Sequence, residues 1–107
     1  MVRFNNRLAN NNITNVNLVN VTNSFAMVLD TFRFDYISYE EQLTIAINID
    51  CQKQPVTFYD AVAAARTKRQ LIHADIQRLN QQLDQYKSEF VTFQNDYKTA
   101  AEGIKLQ

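Results

Sequence analysis

The chain has 107 residues, enough for one domain, and its eleven Lys and Arg are balanced by eleven Asp and Glu. That balance excludes a general electrostatic pull toward nucleic acid or an anionic membrane. Hydrophobic residues make up 46% and charged residues 21%, so the chain is expected to fold, and its one Gly and one Pro exclude turn-rich sandwiches and barrels. The fold class expected is all-α: an antiparallel helical hairpin or coiled coil, part of a larger helical bundle.

In chain order, residues 1–13 are polar and carry Asn5, Asn6, Asn10, Asn11 and Asn12. Asn favours turns and tolerates left-handed backbone, so this segment is expected to be irregular, with Val2, Phe4, Leu8 and Ile13 as its apolar residues, able to cover part of another surface. Helix 1 is expected over 14–47. Leu18, Val21, Phe25, Val28 and Phe32 recur at steps of three and four, and Tyr36, Tyr39, Leu43 and Ala46 continue after a stutter between Phe32 and Tyr36. Val19, Ala26, Leu29, Ile37, Ile45 and Ile47 add a second apolar flank. Residues 48–56 break the pattern, because Asn48 can end a helix and Pro55 cannot continue one.

Thr57 with Asp60 three residues on reads as a variant capping box that opens helix 2 at 57. Helix 2 is expected to run to 102, with Gly103 as its stop and 103–107 as a tail. Its apolar register, from Phe58, Val62 and Ala65 through Arg69 and Ile72 to Ala100 and Ile104, spans about six heptads. Within it Ile76, Leu79, Leu83, Tyr86, Phe90, Phe93 and Tyr97 form a seam that is the candidate interface. Helix 1 covers roughly 51 Å and helix 2 roughly 70 Å, so folding back leaves Phe90, Phe93 and Tyr97 uncovered. The expected partners are a second copy of the chain or helices of another protein.

Little here points to chemistry. His73 is the only histidine, Asp75 two residues on faces elsewhere on a helix, and Glu40–Glu41 has no Glu-x-x-His companion. Cys51 is alone, which excludes an intrachain disulfide and a Cys-based zinc site. No P-loop, GxGxxG, HExxH or GxSxG occurs, so no cofactor, metal or catalytic residue is expected and the chain is read as non-enzymatic. Arg66, Lys68 and Arg69 form a basic cluster of the kind that usually faces solvent, except that Arg69 falls in the seam. The five Tyr and seven Phe have the spacing of a core rather than of a base-stacking surface. No apolar run is long enough to span a membrane. MVRFNNRLANNN lacks the apolar stretch of a secretory signal, so the chain as written reads as cytoplasmic.

Residues 11–48, NNITNVNLVNVTNSFAMVLDTFRFDYISYEEQLTIAIN, resemble the repeated segment of TolC-like outer-membrane efflux factors. Asn11 stands where that family has a turn Gly, Thr14 matches the turn Thr, and Asn17–Leu18–Val19–Asn20 matches the helix start. Asp35–Tyr36 with Leu43 matches the helix end, whereas QPVTFYDAV departs from the entry to the family's next helix. The chain has neither the signal sequence nor the barrel strands of that family. The resemblance therefore implies a fragment, a stand-alone relative or an engineered tunnel segment, with an α-helical barrel of hairpins in the cell envelope as its setting. Two functional expectations follow: a building block of an envelope transport or efflux machine, or a soluble adaptor, chaperone or virion or secretion-apparatus component that binds partner helices.

Overall fold

The computed structural model describes residues 1–11 and 13–106, with side chains described through residue 100. It contains three helices, α1 (Val2–Asn10), α2 (Val16–Ile47) and α3 (Pro55–Leu106), and no strand among the described residues. The all-α hairpin architecture expected from the sequence is the one observed. The single domain expected is divided into two compact units: unit 1, Met1–Ala26 with Asn80–Gln107, and unit 2, Met27–Leu79.

The N-terminal segment differs from expectation, since α1 occupies most of the stretch read as irregular. Phe4 and Leu8, four residues apart, turn to one face and are half-buried, while Arg3, Asn6, Arg7 and Asn10 face outward. Packing of that face overrides the poor helix propensity of Asn. Arg7 lies in the last turn, where a cation complements the helix dipole. Asn11 ends α1 at φ −99°, not in the left-handed region expected of it, and its Nδ2 donates to the Arg7 carbonyl at 2.8 Å. Asn12 lies outside the described residues.

The boundaries of the two long helices follow from their caps. Asn15 Oδ1 accepts the backbone N–H of Leu18 at 3.1 Å, so Asn15 is the N-cap and α2 starts at Val16 rather than at 14. In the turn, Asp50 Oδ1 accepts the N–H groups of Gln52 and Lys53 at 3.0 and 3.3 Å, an Asx turn that reverses the chain. Pro55 then takes the first helical position, where its missing N–H has no partner to lose. Thr57 therefore lies inside the first turn of α3 and is not its cap. At the far end α3 continues through Gly103 to Leu106. One Gly costs a helix about 1 kcal/mol relative to Ala, which weakens the helix there without ending it. The Ile104 side chain and Gln107 lie outside what is described.

In unit 2 the helices run antiparallel, and the residues turned inward alternate by three and four. On α2 they are Val28, Phe32, Asp35, Tyr39, Gln42 and Ala46, and on α3 Phe58, Ala61, Ala65, Lys68, Ile72, Asp75 and Leu79. This corrects two expectations. There is no stutter, because the heptad passes through Asp35 and Gln42 instead of Tyr36 and Leu43. On α3, Ala61, Lys68 and Asp75 face inward in place of Val62, Arg69 and Ile76. Buried Ala46, Ala61 and Ala65 are small enough for close approach, and Gln42 Nε2 reaches across to the Ala61 carbonyl at 3.1 Å.

In unit 1 the core is Leu18 and Val21, and α1 lies over it. Asn5 ties three helices together. Its Nδ2 donates to the Leu18 carbonyl at 3.2 Å and to Thr22 Oγ1 at 2.8 Å, and its Oδ1 accepts from the Tyr86 hydroxyl at 3.1 Å. Phe4 meets Phe90 and Phe93 edge-on, with ring centroids 5.0 and 6.0 Å apart. Two of the three aromatics expected to need another chain are thus met by α1 of their own.

Candidate functional site

The inward line of α3 in unit 2 carries a charge. Asp75 is 0% exposed and accepts a hydrogen bond from Arg78 Nη2 at Oδ1, 2.6 Å away. Its Oδ2 is buried without a hydrogen-bond partner. Burial pushes the Asp75 carboxyl above its ordinary 3.8, and the hydrogen bond and negative charge of Asp35 push it further, against the opposing charge and hydrogen bond of Arg78. Two carboxylates have no proton to share, so protonation of one lets it donate to the other and satisfies the orphaned oxygen. Asp75 is thus buried while Asp35 and Arg78 keep contact with solvent, and the charge of the pair bears on the stability of the seam.

The two long helices also present a second apolar line beside the seam. On α2 of unit 2 it is Leu29, Tyr36 and Leu43, and on α3 it is Val62, Arg69 and Ile76. Each residue directly follows an inward position (Val28, Asp35, Gln42; Ala61, Lys68, Asp75), so each helix repeats it every seven residues. In an antiparallel pair these two lines lie on the same side. In unit 1 the equivalent side is the one α1 covers: Thr22 bonds Asn5, and Phe90 packs on Phe4. In unit 2 Tyr36 is 45%, Leu43 38% and Ile76 41% exposed, while Leu29 and Val62 are half-buried. The Phe32 and Tyr36 rings stack at 6.1 Å, which holds Tyr36 at the edge of this surface.

The candidate residues from the sequence divide accordingly. Leu79 is half-buried on the inward line of unit 2, and Ile76 is exposed on its flank. In unit 1 Tyr86, Phe90 and Phe93 are half-buried and meet α1, whereas Leu83 and Tyr97 are exposed, Tyr97 stacking on Phe93 at 6.2 Å. Arg69 and His73 are exposed, as is Cys51 in the turn. The residues that sequence reasoning missed are Asp35 and Asp75. Their signal was present, because 72, 75 and 79 satisfy the three-four rule as well as 72, 76 and 79 do. Hydrophobicity alone prefers Ile76 over Asp75.

Among the described residues no three His, Cys, Asp or Glu side chains are placed to hold a metal ion. No described helix is long and apolar enough to cross a membrane. No family profile, curated protein or solved structure matches the chain.

Proposed function

We propose that the chain is a non-enzymatic assembly module, a helical hairpin that works by taking further helices onto the open flank of unit 2. The observation that carries this is the contrast between units: the flank that α1 covers at Thr22 and Phe90 in unit 1 is bare at Tyr36, Leu43 and Ile76 in unit 2. Apolar surface of this kind, bordered by Arg33, Glu40, Arg66 and His73, is what partner helices bury. The resemblance of residues 11–48 to efflux-factor segments extends the reading to a helical tunnel of the cell envelope, and an adaptor that recognises partner helices uses the same surface.

The test is a photo-crosslinking residue at Leu43, with Thr31 on the opposite flank as the control, in cells that make the protein. Adducts from Leu43 and none from Thr31 are expected. Equal labelling at the two positions, or none, removes the assignment of this flank.

A further inference from the structure

We infer that Asp35 and Asp75 form a proton-operated latch across the seam of unit 2: a proton held between the two carboxyls keeps α2 closed on α3 at this point, and its loss lets the two helices part there. The inference goes beyond the proposed function and stands without it, because it concerns the seam behind the flank and not what docks on the flank.

Asp75 is 0% exposed on the inward line of α3, and Asp35 is half-buried on the inward line of α2. Arg78 Nη2 takes up Oδ1 of Asp75 at 2.6 Å, which leaves Oδ2 buried without a partner. Two carboxylates are acceptors only, so no hydrogen bond can join them while both are charged. A proton on Asp75 turns Oδ2 into a donor toward Asp35, satisfies the orphaned oxygen and removes the repulsion in one step.

The other charged and titratable groups around the pair do not replace that proton. Besides Asp35, α2 turns Tyr39 inward, and besides Asp75, α3 turns Lys68 inward. Lys68 precedes Asp75 by two helical turns, about 10 Å along the axis. Arg78, the cation that acts on Asp75, has a side chain 54% exposed, where its charge is screened. Asp30 and Arg33 on α2 pair with each other at the surface at 3.8 Å, and Tyr36, Arg69 and His73 are exposed.

Tyr36 directly follows Asp35 and Ile76 directly follows Asp75, so parting of the helices at the latch moves a residue on each side of the flank. With the latch closed, burial and then Asp35 hold the Asp75 carboxyl above 3.8, and with the latch open it returns toward that value. Closing therefore takes up a proton between the two values. Opening grows as pH rises from 3.8 through the raised value and is level above it.

The test is hydrogen exchange of the full chain across acidic and neutral pH, with rates corrected for the intrinsic pH dependence of amide exchange. Opening at amides 32–39 and 72–79 should increase by up to about tenfold per pH unit within that window. Amides near Leu18 and Val21 in unit 1 should not follow. Asp75→Asn should abolish the dependence and Asp35→Asn should reduce it, because an amide donates at every pH, whereas Asp60→Asn at the surface should keep it. Circular dichroism checks the helices of each variant, and if Asp75→Asn does not fold, Asp35→Asn decides. Exchange independent of pH in the wild type overturns the inference. So does a slope undiminished in the Asn variants, or an equal slope in both units, which marks global unfolding. None of these outcomes bears on crosslinking at Leu43, so the latch and the proposed function fail separately.

Discussion

Asp75 is the residue whose behaviour departs most from its surroundings. A carboxyl held fully buried against Asp35 prefers its neutral form, and the seam is most stable when Asp75 carries a proton. Its folded pKa lies above the unfolded 3.8, so the folded chain binds the extra proton between the two values. This contribution to stability is fully present below pH 3.8 and is lost as pH rises through the raised folded value. Urea unfolding followed across mildly acidic pH should show that slope, and Asp75→Asn should flatten it. At neutral pH Asp75→Asn is expected to stabilise the chain by about 1–3 kcal/mol, the size of an unsatisfied buried polar group, because an amide nitrogen in place of Oδ2 can donate to Asp35. The gain should shrink as pH falls through the raised folded value, where wild-type Asp75 takes up its own proton. Asn5 is the opposite case, a half-buried amide whose nitrogen and oxygen both find partners. Asn5→Leu removes those bonds and is expected to cost about 1–3 kcal/mol, read as a lower urea midpoint.

At the scale of the element, α1 exists because of what it covers. Its nine residues are too few to be helical alone in water. The face made by Phe4, Asn5 and Leu8 gains enough from unit 1 to hold it. Phe4→Ala should therefore do more than remove one ring. Burying a Phe is worth about 1.5–3 kcal/mol, and without that anchor α1 should detach and leave Phe90 and Phe93 open. Hydrogen exchange is the suitable measurement: amides of 2–10 should lose protection, those near Leu18 and Val21 should weaken, and those near Ala46 and Ala65 should change little. A uniform loss in both units would contradict this account of α1.

At the scale of the whole molecule, the question is whether the chain is complete by itself. On the proposed function, covering Tyr36, Leu43 and Ile76 lowers the free energy of the chain, and linkage then ties its stability to the concentration of what covers them. Where a second copy covers them, the melting temperature should rise with protein concentration in the wild type and become independent of it in the Leu43→Glu, Ile76→Glu variant. Differential scanning calorimetry over a hundredfold range, roughly, gives the comparison, since each tenfold in binding is about 1.4 kcal/mol.

The hairpin and its reversal were legible in the sequence by itself, for reasons local to the chain. One Gly and one Pro leave no means of making a sheet of this size, the three-four period is continuous, and Pro55 cannot sit inside a helix but suits the start of one. Which line of each helix faces its partner was not legible. Two adjacent lines both obey the three-four rule, and a hydrophobic criterion picks the line with Tyr36, Leu43 and Ile76. The tertiary structure instead turns Asp35, Gln42 and Asp75 inward, with Ala46, Ala61 and Ala65 allowing the close approach through which Gln42 reaches the Ala61 carbonyl. The rejected apolar line is left for a third helix, which α1 supplies in unit 1. That α1 is a helix at all was equally a tertiary decision. Its Asn residues argue for a turn when read locally, and contacts distant in sequence, with Leu18, Thr22, Tyr86, Phe90 and Phe93, make it a helix.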